Sequence, residues 1–268
     1  MKVSLIVSTY DNPLFLKKVT DSILKQILMP AEVIIADDGS GADTAAVVEA
    51  FRNKAPFRTV HVWQENKGFR AAMIRNKAIE KSTGDYIILL DGDCVINRYF
   101  ISDHHCLAEK GCFIQGKRVL VTRDNVSSFN KDVANSKYSL IKLAMLLKIS
   151  NAHHLLRLPA YFYISNMSLK GIKSCNMSFF RKDIFGINGF NEDYVGWGNE
   201  DSDLACRFFK YGLSKKVHPF MAICFHLWHP SNKRLNHANA ELLRAAIASD
   251  NFLCKNGLIK RNDLIVSV

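Results

Sequence analysis

Ile87-Ile88-Leu89-Leu90-Asp91-Gly92-Asp93-Cys94 puts two carboxylates at the exit of a run apolar enough to be a strand buried on both faces. On an extended backbone, residues two apart face the same way, so Asp91 and Asp93 would point together. Gly92 between them lets the chain turn and come close to a ligand. Ligands of open α/β sheets lie beyond the carboxyl ends of the strands, where this pair falls. Hard cations such as Mg²⁺ or Mn²⁺ take carboxylate oxygen and usually share coordination with substrate phosphates. The pair therefore points to a metal site for a phosphorylated donor. Alone, an Asp-x-Asp more often marks only an acidic turn, so the weight rests on its surroundings.

Upstream, short apolar runs alternate with helical patterns. Strands are predicted at Val3–Ser8, Glu32–Ala36, Thr59–Gln64 and Tyr86–Leu90, and helices at about Leu14–Gln26, Asp43–Asn53 and Ala71–Lys81. Parallel strands need helical crossovers, so this rhythm predicts an α/β fold with a doubly wound, mostly parallel sheet. From Ser127 to Leu169 strand signals thin out around a cationic helical run, Lys137–Lys148, which reads as a helical insertion. Sheet-like segments resume near Gly171, and a last amphipathic helix, about Ala238–Leu253, follows a polar turn. The expected organisation is one domain in three parts: a donor-side half over 1–123, the insertion over 124–170 and an acceptor-side half over 171–268.

At 268 residues, 48% hydrophobic and 23% charged, the chain can bury a large core. Its seven cysteines are odd in number and form no Cys-x-x-Cys pair, which argues against a disulfide framework or zinc ribbon and for a reducing cytoplasm. The apolar run Val3–Val7 is too short for a signal peptide, and no stretch approaches the ~20 apolar residues of a membrane span. A net charge of +11 suits an anionic nucleotide, glycan or lipid. The Lys and Arg are scattered without interleaved aromatics, so nucleic acid is not expected. For Lys137–Lys148 two readings stand: a peripheral contact at the inner face of the membrane near a lipid-linked acceptor, or a core helix with solvated ends or a homo-oligomer face.

Two further strand exits carry small polar or acidic groups, Ser8-Thr9-Tyr10-Asp11 and Ala36-Asp37-Asp38-Gly39-Ser40. An acidic side chain there can accept the imide N–H of a uracil, while backbone near Ser8 and Thr9 bonds the ring carbonyls. Asp38 is the better ligand, and Asp43 is expected to cap the following helix. Gly39-Ser40-Gly41 lacks the third glycine of a dinucleotide fingerprint, Thr44 standing in its place. In Glu65–Lys77 a glycine turn enters a helix carrying Arg70 and Arg75, guanidinium groups suited to a diphosphate or a base edge.

The densest chemistry is Gly196-Trp197-Gly198-Asn199-Glu200-Asp201-Ser202-Asp203, whose carboxylates precede the helical pattern Leu204–Tyr211. Asp203 is the natural cap or dipole partner. Trp197 between glycines is a poor core residue but a good sugar-stacking surface, and a carboxylate beside it could deprotonate a sugar hydroxyl. Finally, His226-Leu227-Trp228-His229 ends the apolar run Phe220–Phe225. Both imidazoles can meet one ion only if the strand has ended, and with Asp93 available one of them could complete a divalent-metal site.

Together these segments resemble the inverting glycosyltransferases of the GT-A fold. The amino-terminal half is similar to bacterial enzymes of the chondroitin-polymerase type, and Asn176–His229 to the carboxyl-terminal region of the β-1,4-galactosyltransferases. The resemblance covers about Lys2–Arg123 and Gly171–Asn232. It implies that Ser8, Thr9 and Asp38 hold a uridine, with Arg70 or Arg75 near the base or diphosphate, and that Asp91 lies on the ribose side. Asp93 and His229 would bind Mn²⁺ or Mg²⁺, and His226 stands where the galactosyltransferases use a Met. Asp201 matches the catalytic base, Glu200 a sugar contact and Trp197 the mobile stacking residue, while Asn199 replaces a family Gly.

The resemblance thus implies transfer of a sugar from a UDP-sugar to a hydroxyl of a glycan or lipid-linked saccharide, in bacterial surface polysaccharide synthesis. Two rivals remain. A nucleotidyltransferase would want a glycine-rich, basic first loop, and Ser8–Pro13 contains no Gly, Lys or Arg. A non-catalytic glycan-binding module would have no use for Asp93 and Asp201 together.

Overall fold

β1 (Val3–Thr9) has neighbours on both edges and helices over both faces, which is why its apolar run is continuous rather than alternating with polar residues. After it come α1 (Pro13–Ile23), β2 (Glu32–Asp37), α2 (Ala42–Arg52), β3 (Arg58–Trp63), α3 (Ala71–Lys81) and β4 (Tyr86–Asp91) in the computed structural model, which describes residues 1–158, 163–230 and 236–260. Strands β3-β2-β1-β4 are parallel neighbours. Their side chains alternate between two cores. Leu5, Val7, Val33, Ile35, Ile88 and Leu90 pack under α1 and α2. Ile6, Ile34, Ile87 and Leu89 pack under α3. Burying one such side chain contributes about 1.5–3 kcal/mol.

The chain then forms β5 (Cys94–Ile96), α4 (Phe100–Leu107), β6 (Cys112–Gln115), β7 (Lys117–Val121), α5 (Lys131–Asn135), α6 (Lys137–Met145), β8 (Ile149–Ser150) and β9 (Ile164–Asn166). It closes with β10 (Asn176–Phe180), α7 (Arg181–Gly186), α8 (Glu200–Lys210), β11 (Ser214–Val217), β12 (Ile223–His226) and α9 (His237–Ala248). The large sheet runs β3-β2-β1-β4-β10-β6-β11-β9, with β10 antiparallel to β4. A second sheet, β5-β12-β7-β8, stands beside the β4 exit. No helix among the described residues is long and apolar enough to cross a membrane.

The doubly wound expectation holds, with several local corrections. α1 ends at Ile23 rather than Gln26, because the Gln26 amide turns to the Asn97 carbonyl at 2.7 Å. Gly41, not Asp43, caps α2. Asp43 lies inside the first turn of α2, and the Ser40 hydroxyl donates to Asp37 at 2.6 Å. α8 begins at Glu200, four residues before the apolar pattern, so its three carboxylates fill the first turn. α9 stops at Ala248 rather than Leu253, where the Lys210 ammonium gathers the carbonyls of Ala246, Ile247 and Ser249. The stretch expected as a helical insertion also holds β8 and β9, the latter at the edge of the large sheet. The polar turn expected before the last helix falls largely on 231–235, outside the described residues.

Candidate active site

The exits of β1, β2 and β4 open into a cavity of about 750 Å³, a usual size for a small-molecule site. β1 contributes Ser8, Thr9 and Tyr10, the β2 exit Asp38, and the β4 exit Asp91, Gly92 and Asp93. Trp197 and His229 also line it, His229 on the Asp93 side. Gly92 fixes the β4 turn: its N–H donates to the Ser8 carbonyl at 2.7 Å, and a Cβ there would meet that oxygen at 2.9 Å. The two acidic residues therefore sit on a turn pressed against β1.

Asp93 is the meeting point of two imidazoles. Its Oδ2 lies 3.0 Å from His229 Nε2 and 3.4 Å from His226 Nε2, and the three donor atoms lie within 4.8 Å of one another. This is possible because β12 ends at His226 and the next N–H, of Leu227, donates to the Asp93 carbonyl at 2.9 Å. Burial would raise the Asp93 carboxyl, but the His229 hydrogen bond and both imidazole charges hold it below the usual range. His229 is raised to about 8 by that same bond, whereas burial lowers His226. One carboxylate oxygen and two imidazole nitrogens suit a divalent cation and leave coordination positions for phosphate oxygens.

Arg75 organises the other acidic groups. It is buried, with Nε 3.3 Å from Ser8 Oγ, NH1 3.0 Å from Glu200 Oε1 and NH2 3.3 Å from Asp91 Oδ1. Burial pushes the Asp91 carboxyl up to about 6 despite Arg75, and the Asp93 charge adds to the rise. Burial, with the charge of Glu200 beside it, likewise raises Asp201 to about 6. Asp201 Oδ1 accepts the Ser202 N–H at 2.7 Å.

Trp197 is 54% exposed, between Gly196 at φ +79° and Gly198 at φ +102°. Asn199 follows in the left-handed region at φ +77°, a conformation asparagine tolerates better than most residues. The loop is pinned on both sides of the indole: Gly196 N–H donates to Phe69 O at 2.8 Å, and Asn239 donates to Gly198 O at 2.9 Å. An exposed ring on an anchored loop is placed to receive a ligand.

Not every expected residue faces the cavity. Ser8, Thr9, Asp38, Arg75, Asp91, Asp93, Trp197 and His229 line it, whereas Arg70, Glu200, Asp201 and His226 do not. The Arg70 guanidinium turns back to the Glu65 carbonyl. Both Asp38 oxygens are engaged, by Gln64 at 2.5 Å and by the Arg70 N–H at 2.7 Å. Glu200 and Asp201 open α8, Glu200 against Arg75, and His226 lies against Asp93. Sequence reading passed over Tyr10 and Phe69, exposed rings on the cavity wall at 50% and 42%. The available signal was a large aromatic side chain directly after a strand exit and directly after a glycine.

Comparison with known proteins finds two families along the chain. The family described as glycosyl transferase family 2 matches residues 4–170, and the one described as the N-terminal domain of galactosyltransferase matches residues 159–230. A hyaluronan synthase of Pasteurella multocida is 27% identical over 78% of this chain and 23% of its own. The chain spans only about a quarter to a half of the first curated relatives it matches. Among solved structures, a fragment of TarS from Staphylococcus aureus in complex with UDP-GlcNAc aligns with a TM-score of 0.65 at 16% identity, over 92% of this chain and 66% of that one. The mannosyltransferase PcManGT of Pyrobaculum calidifontis, in complex with GDP-Man and Mn²⁺, aligns at 0.55 and 20% identity over 91% and 61%. These likenesses show the GT-A fold.

Proposed function

The chain belongs to glycosyl transferase family 2, and on that premise we propose that it is a metal-dependent, inverting glycosyltransferase acting on a UDP-sugar. The observation that supports this reading is the convergence of Asp93, His226 and His229 at the exit of β4, where Asp93 and His229 line a cavity that Trp197 also lines. Asp93, His226 and His229 would hold a divalent cation, Mn²⁺ fitting the mixed oxygen and nitrogen donors better than Mg²⁺, which prefers oxygen alone. When bound, the cation neutralises charge on the departing diphosphate.

The chain's own residues do the rest. Ser8, Thr9 and Asp38 frame the uridine end, with Tyr10 and Phe69 offering faces for the base. Arg75 keeps Asp91 and Glu200 ordered rather than reaching the diphosphate itself. Trp197 stacks on the sugar, and Asp201, held just outside the donor cavity, accepts the proton of the acceptor hydroxyl. The acceptor oxygen bonds to the anomeric carbon as the bond to the diphosphate oxygen breaks on the opposite side, so the configuration inverts.

The acceptor in this reading is a glycan or lipid-linked saccharide in bacterial surface polysaccharide assembly, met in the cytoplasm at the inner face of the membrane. The test is release of UDP from UDP-galactose, UDP-GalNAc and UDP-GlcNAc in the presence of Mn²⁺. Release from one of the three supports the reading. Pyrophosphate release from UTP and a sugar phosphate, with none from these donors, would replace it with nucleotide-sugar synthesis.

A further inference from the structure

α6 carries apolar residues on two faces. Leu140 is buried and Leu143 and Ala144 pack on the core, which accounts for one face. On the other, Tyr138, Ile141 and Met145 follow the i, i+3, i+7 spacing of a single stripe and are 78%, 57% and 80% exposed. A helix on the surface of a water-soluble domain ordinarily presents polar residues there. The turn that follows extends the stripe: Leu146 is exposed, and Leu147, at φ +55°, is 84% exposed. Leucine is disfavoured in that left-handed conformation, so the fold holds an apolar side chain outward at a conformational cost.

Charge says what covers this face. Lys137, Lys142 and Lys148 are exposed along it. None of the three makes an ion pair among the described residues. A two-fold contact centred on this stripe would bring two copies of the same lysine-bearing face together. An anionic bilayer meets both features at once, taking the apolar stripe into its interface and the ammonium groups at its phosphates.

The sheet register places the face relative to the site. Leu120 of β7 is opposite both His226 of β12 and Ser150 of β8, and the Thr122 N–H donates to the Lys148 carbonyl at 3.1 Å. The carboxyl end of α6 therefore emerges at the end of the small sheet from which the chain runs on to His229. There Arg123 stacks 5.0 Å over the half-exposed ring of Trp228.

We propose that α6 and the Leu146-Leu147 turn seat this protein on an anionic membrane surface, with the His226–His229 edge of the cavity toward the lipid. The docking stands on its own. That it presents the cavity to lipid-linked acceptors rests on the proposed transfer reaction.

Co-sedimentation of the full chain with vesicles tests the docking. Binding is expected to vesicles containing phosphatidylglycerol and not to pure phosphatidylcholine. Met145→Asp with Leu147→Asp should weaken it at least about tenfold, aspartate being tolerated at the positive φ. Lys142→Gln and Lys148→Gln should each weaken it about fivefold. UDP release in solution should be unchanged in all four substitutions, so a loss of chemistry is read separately from a loss of docking. The proposal is overturned if the protein does not sediment with anionic vesicles, if the double aspartate variant binds them as well as the parent does, or if those aspartates only disperse a dimer.

Discussion

Arg75 and Glu200, 125 positions apart, form a buried 3.0 Å ion pair, and through it the first turn of α8 is tied to the exits of β1 and β4. Because the same guanidinium reaches Asp91 and Ser8, removing it strands two carboxylates at once. Arg75→Met should cost about 3–5 kcal/mol, read from urea unfolding. Arg75→Lys should fall between the two, since an ammonium keeps the charge but not the fork.

Asp201→Asn should lower transfer by about 10²–10⁴-fold while nucleotide binding is largely kept, measured by turnover and by calorimetry with UDP. Asp201 titrates at about 6, raised mainly by burial, so it can accept a proton above that pH and not below. The acid limb of kcat/KM should therefore fall as pH drops through about 6, and full activity in Asp201→Asn would remove the residue from this role.

Trp197→Ala should weaken sugar recognition about two- to tenfold in KM, with UDP affinity unchanged. Gly196 and Gly198 hold the loop through their backbones, so the ring can be removed without releasing its anchors. An equal loss of UDP affinity would place the indole against the nucleotide instead.

His104, which does not line the cavity, gives the fold a pH dependence of its own. Its ring nitrogens lie 2.7 Å from Ser178 Oγ and 2.9 Å from Asn176 Oδ1, and burial lowers it to about 4. The unfolded chain binds this proton near 6.5 and the native chain only near 4. The contribution is therefore complete above about 6.5 and is lost progressively as pH falls toward 4, by about 2 kcal/mol at pH 5. Urea unfolding at pH 7.5 and 5 should show this slope, and His104→Gln should flatten it by about that amount.

Much of this was legible in the chain because strand exits announce themselves. Asp91 and Asp93 follow a buried strand, and the helix expected over Ala71–Lys81 is the one observed. The readings that went astray depend on partners far away or on very short elements. Strands of three to five residues such as β5, β6 and β7 are too brief for periodicity to register. Gly41 rather than Asp43 stands at the start of α2, which begins one residue before Asp43 and leaves its carboxylate in the first turn. The turning of Arg70 away from the cavity and the capture of Arg75 by Glu200 are tertiary events that leave no local pattern. His226 could be joined to His229 only by knowing where β12 stops.

Calorimetry of UDP with Mn²⁺ and with chelator, on the parent protein and on Asp93→Asn, tests the central claim most directly. The three-ligand site predicts that Mn²⁺ tightens UDP binding at least about tenfold, roughly 1.4 kcal/mol, and that Asp93→Asn abolishes the gain. Equal UDP affinity with and without the metal, or a gain that survives in Asp93→Asn, would contradict it.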